Sequence, residues 1–387
     1  MKICYVNPTI LVRRPIAELI DRLGSEKSNK KEKIGIFIPK KPFRKIDKNW
    51  HANKSLSKAK IYSYNAVNLP LRFEWPIPIS PRFWTQLYRI FKTYDVVHMW
   101  TYFYINSWAV ILFKKFFPKV KLIMTCDTFP AYSFSAGKIT DFMFKTYTKL
   151  FGKMIFKIPD LIQVYGESLV KYTKQAKLGI LKKKIKILST GINLTKFKQI
   201  KKADRKKLGL NQSDFVMVYA GLIVPRKGIK TMLRVLKNIN KNNKTVKLLL
   251  IGDGPARAEY KEMAQEMGLS KQVKFTGWRK DIPSLFAMSD VLFLPSKGEG
   301  LPGIIMEGMA SGLPIVASKI PCIPDLVLDG ENGFLFHPDD VKGFTEAIIK
   351  LIEDDRLRDE MGDKSLVRIE KFNWDRLIGK YDKLYSQ

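Results

Sequence analysis

Short apolar, β-branched runs alternate along the chain with longer segments whose apolar residues recur at helical spacing. In the first half, residues 2–6 (KICYV), 33–39 (KIGIFIP), 95–100 (DVVHMW), 121–127 (KLIMTCD) and 160–166 (DLIQVYG) predict strands. Between them, residues 16–23, 82–94, 107–118 and 140–157 predict helices, the third ended by Pro118. Residues 40–60 are rich in Lys, Asn and Ser and predict an exposed loop, in which Trp50 and His51 have no assigned role. In the second half, strands are predicted at 214–221, 246–254, 273–278, 291–296, 314–318 and 333–338. Helices are predicted at 228–240, 256–268, 282–289 and 341–354, and over most of the final stretch. The polar, charged segment 198–210 (KQIKKADRKKLGL) reads as a linker. Strands alternating with helices on both sides of a linker predict two α/β domains with parallel sheets, whose ligands bind at the carboxyl ends of the strands.

Composition narrows this picture. With 387 residues, 45% hydrophobic and 27% charged, the chain is globular and long enough for two domains, each with its own core. Cys4, Cys126 and Cys322 are far apart, with no disulfide framework and no Cys/His spacing of a zinc site, which fits a reducing compartment. The start, MKICYVNP, has no long apolar core of a secretory signal, and apolar runs such as 108–113 and 248–252 are too short to span a bilayer. The expectation is a soluble or peripheral protein. The net charge of +33 is uneven: residues 1–200 carry 38 Lys/Arg against 11 Asp/Glu, and residues 201–387 carry 31 against 25. A general lysine bias would raise both halves alike. The asymmetry points instead to a polyanionic partner for the first half, a membrane surface or a nucleic acid. Residues 140–157 interleave aromatics with Lys145, Lys149, Lys153 and Lys157. They read either as an interfacial membrane helix or as a domain helix with solvated lysines.

Candidate chemistry gathers in three Gly-rich turns of the second half, AGLIVPRKG (220–228), IGDGP (251–255) and EGLPG (299–303), each after a predicted strand. Together they would rim one cleft, with Lys227 and Arg226 supplying positive charge for a diphosphate. The third turn belongs to PSKGEGLPGIIMEGMASGLPIV (295–316), where Glu299 and Glu307 flank a turn-to-helix junction. A helix starting near Pro302 would leave the amides of Gly300, Leu301 and Gly303 as an anion cradle, with two carboxylates able to accept sugar hydroxyls. No G-x-G-x-x-G follows the first strand, where residues 7–14 read NPTILVRR, and no G-x-x-x-x-G-K-[ST] occurs, so a nicotinamide enzyme is disfavoured.

These motifs, with FTGW and IPSLFAMSDVLFLPS between them, resemble in order and spacing the GT-B retaining glycosyltransferases of the family 4 type. STGINLTKF (189–197), GENGFLF (330–336) and FNWDRLIGKYDKLY (372–385) resemble that family's turn before the linker and its closing segments. The specific resemblance runs from residue 189 to the end, while the first half shares only the strand–helix rhythm. It implies an α/β, GT-B architecture of two Rossmann-like β/α/β domains facing a central cleft. Residues 1–195, with a helix over about 371–387 crossing back, would bind the acceptor, and residues 205–370 would bind a nucleotide-sugar donor. Lys227 matches the lysine on the donor diphosphate, Glu299 the carboxylate at the donor sugar, and Glu307 the one that holds the ribose. Gly300, Leu301, Pro302 and Gly303 match the loop at sugar and phosphate, Gly221, Gly252 and Gly254 the cleft turns, and Trp278 and Arg279 the nucleobase region. The resemblance implies no cofactor and no metal, the nucleotide sugar being a substrate. It also implies a retaining, front-face reaction in which Glu299, Lys227 and Asp127 act at the reacting centre.

Two positions depart from the family pattern. Leu222 stands where the family usually has arginine, and Arg226 could supply that guanidinium only if it pointed the same way as Lys227, whereas loop neighbours usually point apart. Cys126 stands where the family usually has histidine, and reads as an inert buried thiol beside Asp127. His98 is a further candidate near the same edge, with a satisfied interior histidine as the competing reading. The expected partners are a UDP- or GDP-sugar, a glycan or lipid-linked acceptor and an anionic membrane surface, with the protein cytoplasmic and peripheral on the inner face of the membrane, and no nucleic acid. Alternatives are a sugar-nucleotide 2-epimerase, a glycogen-synthase-like polymerase, or a non-catalytic sugar-nucleotide or nucleic-acid-binding protein. Against the last stands the lack of an RNP, KH or helix-turn-helix signature.

Overall fold

The computed structural model describes residues 1–9, 12–24, 33–39, 56–68, 76–133, 135, 137–240 and 245–386. Trp50, His51 and most of the expected 40–60 loop lie outside them. The chain divides into two compact units, one of Met1–Tyr132, Ala136–Thr190 and Asp375–Gln387, the other of Ser133–Ser135 and Gly191–Trp374.

In the first unit, chain order runs β1 (Ile3–Val6), α1 (Arg14–Leu23), β2 (Ile34–Pro39), β3 (Lys60–Tyr64), β4 (Ala66–Asn68) and β5 (Pro76–Pro78). It continues with α2 (Pro81–Thr93), β6 (Val96–Trp100), α3 (Ile105–Phe116), β7 (Lys121–Cys126), α4 (Lys138–Lys157), β8 (Leu161–Val164), α5 (Glu167–Gln175) and β9 (Ile185–Ile187). Strands pair in the order β3-β2-β1-β6-β7-β8-β9, all parallel, while β4 and β5 form a separate antiparallel pair. The edge strand β3 replaces the end of the expected loop. Its KIYSY alternates across the two faces, and Tyr62 and Tyr64 fill the core side.

The second unit contains β10 (Phe215–Ala220), α6 (Ile229–Ile239), β11 (Val246–Ile251), α7 (Arg257–Glu266), β12 (Val273–Gly277), α8 (Ile282–Ala287) and β13 (Val291–Leu294). Then follow α9 (Gly303–Ala310), β14 (Ile315–Ser318), α10 (Ile323–Leu326), β15 (Gly333–Phe336), α11 (Val341–Glu353) and α12 (Asp355–Ile369). Its all-parallel sheet runs β12-β11-β10-β13-β14-β15. The strands β13 and β14 are buried along their whole length, as expected of a parallel sheet covered on both faces. The order reverses between β10 and β13 here, and between β1 and β6 in the first unit. Each reversal opens a crevice at the carboxyl ends of the two strands.

The last helix, α13 (Trp374–Ser386), apart from its first residue, belongs with the first unit. A row of buried polar groups crosses the central strands beneath it. Tyr385 hydroxyl lies 2.9 Å from His98 Nδ1 and 3.2 Å from Tyr5 hydroxyl. His98 Nε2 lies 2.6 Å from Thr125 Oγ1, which donates to Gln163 Oε1 at 2.9 Å. Gln163 Nε2 in turn donates to Tyr381 hydroxyl at 2.8 Å and to the Leu188 carbonyl at 2.7 Å. Because the Thr125 proton is committed to Gln163, its oxygen accepts from His98 Nε2–H, and Nδ1 is left to accept from Tyr385. Both ring nitrogens are therefore used, and the ring has no exposure to solvent. His98 is an interior histidine that ties α13 to the sheet, so the catalytic reading of it is set aside.

Burial lowers the His98 pKa to about 3. The folded chain thus keeps His98 neutral between pH 3 and the ordinary 6.5, whereas the unfolded chain protonates it, so stability is present above pH 6.5 and falls on acidification. His98→Gln is expected to be less stable at pH 7 yet to lose less on going to pH 4. The difference would approach one proton, or at most about 1.4 kcal/mol per pH unit, in denaturant titrations across that range. Equal pH slopes for the two proteins would refute the assignment.

Candidate active site

The carboxyl edge of the second sheet is built from backbone packed on backbone. Gly252 has φ 125°, and a Cβ there would lie 2.0 Å from the Gly221 carbonyl oxygen. A Cβ on Gly254 would lie 2.2 Å from the Ile223 carbonyl oxygen. Real Cβ atoms do not approach so closely, so only glycine lets the turns after β10 and β11 touch. Their meeting is closed by Gly221 N–H to Ile251 O at 2.8 Å, Ile223 N–H to Asp253 O at 2.9 Å and Gly252 N–H to Gly277 O at 2.8 Å. The last bond brings in the end of β12, directly before Trp278 and Arg279.

Across the β10–β13 switch point, the turn Pro225–Lys227 is joined to the loop after β13. Lys297 N–H donates to the Arg226 carbonyl at 2.8 Å, and Ser296 Oγ donates to the same carbonyl at 3.0 Å. Gly228, at φ 75°, sits where a Cβ would lie 2.0 Å from the Pro295 carbonyl oxygen. This packing places Lys227 Nζ 2.7 and 2.9 Å from the two carboxylate oxygens of Glu299. Both side chains are largely buried. Burial holds the Lys227 ammonium below the usual lysine range; Glu299 opposes that shift and Arg226 adds to it. Arg226 Nη1 donates to the Gly298 carbonyl at 2.6 Å and lies 3.7 Å from Glu299 Oε2. Arg226 and Lys227 thus point at the same carboxylate, contrary to the expectation that loop neighbours diverge. The single-turn helix with its two-residue basic end directs both side chains across the crevice.

Gly300, Leu301 and Pro302 form the entry to α9, which starts at Gly303 with Pro302 as its cap residue, one position later than the sequence suggested. Glu307 lies one turn inside, half-buried, and Ser311 Oγ donates to its carbonyl at 3.0 Å. Trp278 is exposed at 59%. Arg279 forks onto Asp281 with bonds of 2.8 and 2.6 Å, which fixes the guanidinium beside its own loop. Leu222 is also exposed, and its carbonyl accepts from the buried Tyr219 hydroxyl at 2.9 Å, a bond that props the loop from beneath.

The remaining candidates belong to the first unit. Cys126 ends β7, and full burial pushes its thiol pKa well up, which leaves it an inert side chain. Asp127 Oδ2 pairs with Arg13 Nη1, while Asp127 Oδ1 is buried without a hydrogen-bond partner among the described residues. Arg13 went unnoticed in the sequence; its signal was the pair of arginines closing NPTILVRR, the segment after the first strand. Asn7 Oδ1 accepts from the Arg13 N–H at 3.2 Å, so one loop after β1 presents this guanidinium to the loop after β7. Among the described residues no group of three or more His, Cys, Asp or Glu is arranged to hold a metal ion.

Residues 200–366 match the family model described as Glycosyl transferases group 1. Over 361 residues the chain is 25% identical to an uncharacterized glycosyltransferase of Methanocaldococcus jannaschii, covering 92% of this chain and 90% of that one. It is 33% identical over 209 residues to the UDP-Gal:alpha-D-GlcNAc-diphosphoundecaprenol alpha-1,3-galactosyltransferase of Escherichia coli, covering 52% of this chain and 54% of that one. Among solved structures, Anabaena HepE in complex with UDP superposes over 100% of both chains with a TM-score of 0.77 at 18% identity. The fold is GT-B, and the stretch that resembles the group 1 glycosyltransferase model lies within the second unit.

The close approach of the glycine turns is testable by comparison. Gly268 also has positive φ, 72°, but a Cβ there meets nothing within 4 Å. Gly268→Ala is expected to cost only the backbone term, about 1 kcal/mol. Gly252→Ala should cost at least about twice as much and lower the melting temperature further in calorimetric scans, because the Gly221 turn must also move. Similar losses for the two variants would refute the close-approach account.

Proposed function

We propose that the protein is a retaining glycosyltransferase of the family 4 type that moves a hexosyl unit from a UDP- or GDP-sugar to a lipid-linked or saccharide acceptor at the cytoplasmic membrane surface. The observation that carries this reading is the convergence of Lys227 and Arg226 on Glu299 at the switch point of the second sheet. A diphosphate needs cations and backbone donors, and a sugar needs a fixed carboxylate to accept its hydroxyls; the crevice has both kinds of group side by side. The UDP held by HepE and the UDP-galactose donor of the Escherichia coli relative support a uridine nucleotide. That relative's diphosphoundecaprenol-linked acceptor, with the excess positive charge of residues 1–200, supports a lipid-linked acceptor on an anionic surface. Among the described residues no helix is long and apolar enough to cross a membrane, so attachment would be peripheral.

In the reaction, the bond between sugar C1 and the β-phosphate oxygen breaks while the acceptor oxygen bonds to C1 on the same face. The acceptor proton passes to the departing phosphate oxygen. Lys227 and Arg226 stabilise the charge that develops on the diphosphate, and Glu299 positions the sugar. Glu307 holds the ribose, and Trp278 covers the base. Asp127, fixed by Arg13, orients the acceptor.

Glu299 neutralises Lys227 in the structure, so the donor must draw the ammonium away from the carboxylate. This separates the two roles. Lys227→Ala is expected to weaken UDP itself by roughly 10- to 150-fold in calorimetry, the value of about 1.5–3 kcal/mol of charge-assisted hydrogen bonding. Glu299→Ala frees the lysine, so UDP binding should hold or tighten while hexosyl transfer falls by at least about 100-fold. Glu299→Ala leaves the largely buried Lys227 unpaired and Lys227→Ala leaves Glu299 with only the longer Arg226 contact, so the double Ala variant controls for stability. Unchanged affinity for every UDP- and GDP-sugar in both single variants would sink the site.

A further inference from the structure

The helix α4 has three faces rather than two. Phe144, Thr148, Gly152, Ile155 and Phe156 turn to the core. Lys145, Lys149, Lys153 and Lys157 form an exposed line at i, i+4 spacing. Between these two runs a third line, Ile139, Met143, Leu150 and Met154, which is apolar and exposed, with Ile139 at 81% and Leu150 at 66%. A globular helix has no reason to spread an apolar row over solvent beside its lysines.

The row does not end at the helix. Trp108 of α3 donates to the Tyr147 hydroxyl at 2.7 Å, and its ring meets Phe151 at 5.3 Å, which brings α3 against the apolar side of α4. The outer line of α3 is Ile105, Leu112 and Phe116, again exposed, Phe116 at 72%. On its other flank Phe113 stacks with Trp84 of α2 at 6.2 Å, and Trp84 and Tyr88 are exposed one turn apart. Three neighbouring helices of the first unit therefore present one apolar band edged by lysines. Where α3 and α4 end, a hollow of about 410 Å³ is lined by Lys114, Lys119, Lys121, Lys183 and Lys186 against a single acid, Asp160. Lys114 is spent on Asp160 and on the Pro118 and Val120 carbonyls, and Lys121 on the Leu384 and Tyr385 carbonyls. Lys119 and Lys183 are exposed on the rim.

We propose that the outer faces of α2, α3 and α4 are an insertion patch that lies in the headgroup–acyl boundary of an anionic bilayer, with the lysine hollow receiving a lipid phosphate. The inference rests on the membrane surface of the proposed function and adds how the chain engages it: by burying side chains, not by charge alone. A bilayer fits better than a nucleic acid, because phosphodiester backbones offer no apolar partner for Leu112, Phe116 and Leu150. It fits better than a second copy, because the lysine line and the hollow would then face like charge.

The test uses the full chain with phosphatidylcholine vesicles, with and without phosphatidylglycerol, some carrying brominated acyl chains. Wild type should sediment with the anionic vesicles, keep part of that binding in high salt, and show bromine quenching of a signal that disappears in Trp84→Phe. The triple variant Leu112→Ser, Phe116→Ser, Leu150→Ser changes exposed positions only, so its melting temperature should hold while partitioning falls at least about tenfold. Lys119→Glu with Lys183→Glu should weaken binding to anionic vesicles alone. If the triple variant bound like wild type and lipid never quenched Trp84, insertion would be wrong while a purely electrostatic membrane association survived. If wild type ignored both vesicle types, the membrane surface itself would fall. Loss of a dimer in the triple variant by sedimentation, or tight binding of RNA in place of vesicles, would assign the patch to a different occupant and overturn the proposal.

Discussion

Glycines pressed against carbonyl oxygens hold the second unit's working edge together, and each such position requires a residue with no side chain. Gly252 sits on the Gly221 carbonyl, Gly254 on the Ile223 carbonyl, and Gly228 on the Pro295 carbonyl. The first two bind the loops after β10 and β11, and the third binds the Pro225–Lys227 turn to the loop after β13. Without that third approach the two sides of the switch point would stand a side chain further apart. Lys227 would then reach Glu299 only by extending through solvent, where an ion pair contributes about 0–1 kcal/mol. Brought together in a largely buried crevice, the same two groups are strongly coupled, and separating them is costly.

That dependence explains which parts of the site could be read in advance. Glycine turns after apolar strands are local signals, and so are the two glutamates of 295–316, because spacing along one loop and one helix fixes their relation. The direction of Arg226 was not local. It follows from a single helical turn and from the Gly298 carbonyl, 72 residues away in sequence, that the guanidinium meets. Likewise His98 looked like a chemical group at a strand end until its register was known. Tyr5 is its neighbour in β1, Thr125 accepts its Nε2–H, and Tyr385 arrives from 287 residues away. No periodicity in DVVHMW encodes those partners.

The strand and helix rhythm was legible almost throughout, since parallel strands covered on both faces are continuous apolar runs. It failed at β3, where KIYSY follows a Lys/Asn/Ser-rich stretch and only one face is buried. In α4 the rhythm gave the helix but not the division of its apolar residues. A period of 3.6 tells which side chains share a line, and two apolar lines on one helix look the same in sequence whether both are core or one is bare. Only the positions of α3 and the sheet separate Phe144 and Ile155, which are buried, from Leu150 and Met154, which are not.

The first unit's carboxyl edge resisted reading for a different reason. It has the same topology as the second, with its order reversing between β1 and β6. Its polar groups, however, are side chains from separate loops, not amides of glycine turns. Arg13 comes from the segment after β1, Asp127 from the end of β7, and Thr101, held at φ 66°, follows β6 with its hydroxyl buried and unpaired among the described residues. A non-glycine residue in that conformation costs about 1–3 kcal/mol and persists only where the surroundings enforce it. An edge of glycine turns is built from close backbone approaches that only glycine allows, so its sequence is constrained into a motif. An edge of dispersed side chains has no such local pattern. Such an edge is written in residues that are adjacent only once the sheet has formed.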